Sequence, residues 1–118
     1  MALQHEVQTL TRDNLFAALQ IMPVVTGTMT VESGEGALKR GALLKADGTL
    51  CGKTAKTDEV YAILAEDVDT TSAAVVAPVY FTGEFNEDAL AFSDAQSATI
   101  DDFRASARKV GLFFKKNI

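Results

Sequence analysis

Val60-Tyr61-Ala62-Ile63-Leu64-Ala65, then Glu66-Asp67-Val68-Asp69-Thr70-Thr71, then Ala74-Val75-Val76-Ala77-Pro78-Val79-Tyr80-Phe81 is the stretch that decides the fold class. Its two apolar runs have strand length and are rich in β-branched and aromatic residues, which fit a pleated, half-buried surface. The acidic interval between them reads as a turn. Pro78 lacks a backbone N–H, so the second run is expected at a sheet edge or at a bulge. Gly83-Glu84-Phe85-Asn86 closes the run, and Asn86 is placed to cap a short helical turn through Leu90.

Upstream, Pro23 resets the pattern, and Val24-Val25-Thr26-Gly27-Thr28-Met29-Thr30-Val31 reads as a strand. Ser33-Gly34-Glu35-Gly36 is a turn, and residues 52–59 are a polar connection. Between them Asp47-Gly48 joins two short apolar segments and predicts a hairpin with a type I′ turn, because that turn needs positive φ at both central residues. Downstream, residues 93–98 form a small-residue linker. Thr99 then starts a helix, with Asp102 in its first turn. Ile100, Phe103, Ala107 and Val110 share one face, and Arg108, Lys109 and Gly111 mark its end. Leu112-Phe113-Phe114 is a last short strand. Strands joined by short turns outnumber helices, so the expected fold is mainly β: a compact β-sandwich or partly closed barrel with one C-terminal α-helix.

Residues 1–21 read as a lead segment before a β-rich domain at 22–118. Leu3, Val7 and Leu10 are spaced apolar residues, and Asp13 is placed to cap a short N-terminal helix using Leu15, Phe16 and Leu19. Two readings stay open: a helix covering one end of the core, or an arm that orders on a partner.

The chain has 118 residues, 47% apolar and 23% charged, which fits one domain with its own core. Its net charge of -5 and scattered basic pairs argue against nucleic acid as the main partner. The N-terminal residues lack the pattern of a signal peptide, and no apolar run approaches the roughly 20 residues of a membrane-spanning helix. The expected compartment is the cytoplasm, unless an assembly carries the protein out.

Chemistry finds few footholds. The single histidine, His5, lies in the lead, and the single cysteine, Cys51, reads as a small half-buried side chain. One Cys and one His cannot make a zinc pattern, and no glycine-rich phosphate loop occurs. The expectation is no catalytic residue, no metal and no cofactor. The best candidate site is acidic: Glu66, Asp67 and Asp69, with Glu84, Glu87 and Asp88 near in space, are the residues a metal-dependent enzyme would use. Its structural counterpart is a solvated turn whose aspartates bond their own backbone. A host-surface or glycan-binding module has little support: there is no tryptophan, and Tyr61 and Tyr80 lie in buried-looking runs.

Three stretches are more specific. Pro23-Val24-Val25-Thr26 with Leu38-Lys39-Arg40-Gly41 is the first. Ile63-Leu64-Ala65-Glu66-Asp67-Val68-Asp69 with Ala77-Pro78-Val79-Tyr80 and Thr82-Gly83-Glu84-Phe85-Asn86 is the second, and Arg108 through Lys115 is the third. In this order they resemble phage head decoration proteins of the lambda type, over residues 22–116. The resemblance implies a tulip-like β fold, a homotrimer, and binding to the major capsid protein on the outside of the expanded head, with no direct contact to nucleic acid or membrane. It implies a place on the virion, with assembly in the host cytoplasm, and is compatible with a prophage origin. It also implies that the N-terminal segment meets the capsid, which points to Leu3, His5, Val7, Leu10, Leu15 and Phe16. Ile63, Leu64, Val79, Tyr80 and Phe85 then belong to the core and trimer scaffold. The lambda protein's prominent tryptophan has no counterpart here, so its individual contacts do not transfer.

Overall fold

Strand β6 (Val75–Asn86) organises the molecule in the computed structural model, which describes Leu15, Phe16 and residues 23–116. The other strands are β1 (Val25–Val31), β2 (Ala37–Leu38), β3 (Leu43–Leu44), β4 (Ala62–Leu64), β5 (Val68–Asp69) and β7 (Leu112–Lys115). Among the described residues one α-helix, α1 (Ile100–Lys109), precedes β7, and a 3-10 turn (Glu87–Ala89) follows β6. The main sheet runs β1-β6-β4-β3, and β7 pairs in parallel with the far half of β6. β2 and β5 form a separate antiparallel pair. The fold is mainly β with one C-terminal helix, and the described sheets stay open rather than closing into a barrel.

Several expectations are corrected. β6 is a central strand, not an edge strand, and it runs on through Gly83-Glu84-Phe85-Asn86. The acidic interval is not wholly a turn, because Val68 and Asp69 pair with Leu38 and Ala37. The Asp47-Gly48 loop is not type I′. Among its residues only Gly48 has positive φ (87°), Gly48 N–H donates to the Lys45 carbonyl at 3.0 Å, and Lys45 N–H donates to Thr49 at 2.8 Å. That is a longer hairpin loop with one left-handed glycine. It is selected because the loop docks on β1: a Cβ at position 48 would lie 2.3 Å from the Thr30 carbonyl oxygen. Phe16, expected in a helix, instead makes a β-bridge with Phe85; Asp13 and Leu19 lie outside the described residues.

Pro78 is tolerated in mid-sheet for a specific reason. Its carbonyl accepts from Ala65 N–H at 2.9 Å, so its nitrogen faces the same side, just past Leu64 where β4 ends. The donor that proline lacks would have served the Ala65 carbonyl. Arg40 serves it instead, donating to that oxygen at 3.0 Å and to the Tyr80 hydroxyl at 2.6 Å. A β-bulge follows: Val25 pairs with Thr82 and Thr26 with Tyr80, leaving Phe81 as the extra residue. The Phe81 ring lies across Gly27, where a Cβ would be 2.3 Å from its Cε2, so a side chain at this position would displace the ring.

The sheet separates two apolar clusters, as strand alternation requires. Val31, Leu44, Ala62, Leu64, Ala77 and Val79 pack on one face. Leu43, Ile63, Phe85, Phe103, Leu112 and Leu15 pack in the other, under α1. Each fully buried Leu or Phe in these clusters contributes about 1.5–3 kcal/mol relative to exposure. α1 forms where its signals predict. The Asp102 carboxylate reaches back to Thr99 N–H at 2.7 Å, acidic residues occupy the first turn and Arg108 and Lys109 the last. Its Phe103 and Ala107, four residues apart, are fully buried. Ser106 fastens the helix to the approach of β4 by accepting from Val60 N–H at 3.1 Å.

Candidate functional site

The residues expected to carry a contact or scaffold role fall into three groups. Leu3, His5, Val7 and Leu10 lie outside the described residues. Leu15 and Phe16 are placed inside the domain rather than on a contact surface. Leu15 is 1% exposed, and its carbonyl accepts from Asn86 N–H at 2.6 Å. Phe16 is half-buried, stacks on Phe85 at 5.1 Å and meets Tyr80 edge-on at 4.9 Å. Leu15 and Phe16 pack against the described domain, because burying these two apolar side chains outweighs leaving them in water. Ile63, Leu64, Val79 and Phe85 are fully buried, and Tyr80 is half-buried.

Tyr80, Phe16 and Arg40 make one node. The Arg40 guanidinium sits 5.5 Å from the Tyr80 ring centre and 5.7 Å from that of Phe16, within cation–π range. Its backbone N–H donates to Asp67 Oδ1 at 2.8 Å, which holds the Asp67 carboxyl below the usual carboxylate range. The node ties β6, the end of β4 and the acidic interval into one unit. Its chemistry is positional: the guanidinium satisfies a carbonyl and a phenol.

Most of the acidic residues are likewise taken up in structural work, while Glu66 is exposed. Asp69 Oδ1 accepts from the Thr71 hydroxyl at 2.6 Å and from its N–H at 3.0 Å, which lowers its pKa. Lys39 lies 3.5 Å from Asp67. Glu84 is buried and pairs with Lys115 at 2.7 Å. Glu87 pairs with Arg104 at 3.1 Å, and Arg104 also holds Asp101 at 2.9 Å. Among the described residues no three His, Cys, Asp or Glu side chains gather as metal ligands would. Cys51, expected half-buried, is fully buried, and burial pushes its thiol up to about 12.

One open groove of about 620 Å³ lies between β6, α1 and β7, lined by Pro23, Glu84, Arg104, Arg108, Phe113 and Lys115 among others. Two of its three cations, Arg104 and Lys115, are already neutralised by the pairs above. Tyr61, expected to be buried, is 42% exposed, with its edge against Phe81 at 5.7 Å. The isolated sequence run concealed this, because β4 begins only at Ala62. No described helix is long and apolar enough to cross a membrane. No protein-family model matches the chain, and neither does any curated protein.

Proposed function

We propose that this chain is a structural head-decoration protein, which binds the outside of an expanded phage capsid as a trimer and stiffens it against packaged DNA. The observation that carries the reading is the resemblance of the three stretches to lambda-type decoration proteins, together with where those stretches lie. All three converge on β6: Thr26 pairs with Tyr80, Ile63 with Tyr80, and Leu112 with Gly83. Arg40 joins the same strand through the Tyr80 hydroxyl. The resembling segments thus form one packed unit rather than scattered matches. The engagement of the acidic residues in ion pairs and local hydrogen bonds also favours a structural role over the metal-dependent enzyme.

The major capsid protein is the partner in this reading. With Leu15 and Phe16 packed in the domain, the capsid contact narrows to residues 1–10, with Leu3, His5, Val7 and Leu10 as its apolar and polar teeth. Alternating residues of that kind suit addition as a strand to an exposed sheet edge. Three weak contacts held on one trimer reinforce one another through effective concentration. The test combines light scattering on the purified protein with co-sedimentation on expanded heads. The expected result is a trimer, alone or joined in pairs, that sediments with expanded heads, and a variant lacking residues 1–10 that stays folded and binds them more weakly. A monomer that ignores expanded heads sinks the proposal, and equal binding by the truncated variant removes the role of the lead.

A further inference from the structure

Among the described residues β1 is an edge strand, paired on one side by β6. Ala65 bonds Pro78, so Pro78 turns its peptide groups toward β4, and Thr28 opposite it turns its own outward. The same alternation turns the peptide groups of Thr26 and Thr30 outward. The loop at Gly48 covers the edge at Thr30, while nothing among the described residues bonds the outward groups of Thr26 and Thr28. Edges are ordinarily protected by charge or proline. Here residues 24–31 contain neither, and residues 70–83 on the neighbouring stretch carry no charged side chain. The ribbon is also where exposed apolar surface gathers: Val25 is 49% exposed and Val76 68%, with Val24 and Tyr61 alongside.

We infer that β1 pairs with β1 of a second copy of this chain, antiparallel, about a two-fold axis at Gly27. Three observations select this occupant. Each copy carries a net charge of -5, so a contact between copies needs a strip without charge, and the β1–β6 ribbon supplies it. The strand is self-complementary in this register: Thr26 meets Thr28 of the second copy, Val25 meets Met29, and glycine meets glycine at the axis. Finally, the ladder has defined ends: the Gly48 loop covers the edge at Thr30, and the two-fold axis places one such loop at each end. The contact is isologous, so it cannot close a three-membered ring. It joins rings, or single copies, in pairs and is independent of the capsid reading.

Sedimentation velocity over a wide concentration range tests this with the full chain, Thr28→Lys and Thr28→Pro. Thr28 is exposed and its N–H points outward, so both variants keep the ladder to β6. The wild type is expected to associate in steps of two, and both variants to associate at least about tenfold more weakly at little cost in thermal stability. Hydrogen exchange at the Thr26 and Thr28 amides is expected to slow as the wild type associates. A purely monomeric or purely trimeric wild type overturns the inference. So does association that both variants leave intact, fast exchange at these amides in the associated state, or a β1 edge that pairs only with another protein.

Discussion

Removing the Arg40 guanidinium should cost about 1 kcal/mol more beside Pro78 than beside alanine. Arg40 donates to the Ala65 carbonyl at 3.0 Å and to the Tyr80 hydroxyl at 2.6 Å, and it faces two aromatic rings. A hydrogen bond from a charged donor is worth ~1.5–3 kcal/mol when lost, and a partly exposed cation–π contact ~0.5–1 kcal/mol. Arg40 is only half-buried, so Arg40→Met, which keeps the apolar stem, should cost about 2–3 kcal/mol in total. At roughly 4 °C per kcal/mol for a chain of this size, the melting temperature should fall by about 8–12 °C. Pro78→Ala restores an N–H aimed at the Ala65 carbonyl. In that background the same substitution should cost about 1 kcal/mol less, because the carbonyl keeps a donor. Other contacts of Arg40 cancel in the cycle, and a coupling of that size stands above the ~0.3–0.5 kcal/mol scatter of independent sites. The assay is urea denaturation of the four proteins, followed by fluorescence or circular dichroism. An equal cost of Arg40→Met in both backgrounds refutes the argument that Arg40 replaces the proline's missing donor.

Gly48→Ala should destabilise by well over the ~1–2 kcal/mol of a left-handed alanine, because its Cβ would strike the Thr30 carbonyl at 2.3 Å. Gly34→Ala, also at positive φ but with nothing within 4 Å, should show only the conformational cost, and similar melting temperatures for the two would contradict the docking of the loop on β1. Cys51, with its thiol pushed up to about 12 by burial, should resist a disulfide reagent at pH 8 in the native protein and react once urea unfolds it. Rapid native labelling would show that the site opens. Asp67 has a folded pKa below its ordinary 3.8, chiefly through the Arg40 backbone N–H, so its contribution is present above that value and fades as pH falls through the lower folded value. Asp67→Asn should therefore flatten the acid limb of a stability–pH curve below about pH 4, and an unchanged limb would discount this bond.

How far the sequence could be read depended on whether a feature was local. The helix was legible because its signals lie within one segment: the Thr99 cap, the Asp102 return bond, and Phe103 and Ala107 on one face. The mainly β character was legible in the two apolar runs. The order of strands was not, since β6 takes its partners from residues 25–31, 62–64 and 112–115. Pro78 misled for the same reason. The edge rule treats proline as if no distant side chain could stand in for its N–H, and Arg40 does so. Leu15 and Phe16 looked like part of a lead because the segment holding them has no partner in its own neighbourhood, while Phe85 and Tyr80 supply one in space. The partners of the acidic residues, Lys115, Arg104, Lys39 and the Arg40 backbone N–H, lie 17 or more positions away in the chain and were not legible in it.

The central claim, that the chain reinforces a phage head, is tested most directly on DNA-filled heads that lack decoration. Such heads would be heated with and without saturating protein, and DNA release followed by a fluorescent dye. The account predicts that the protein binds the expanded heads and raises the temperature of DNA release. Heads that bind the protein yet release DNA at an unchanged temperature, or that do not bind it at all, would contradict it.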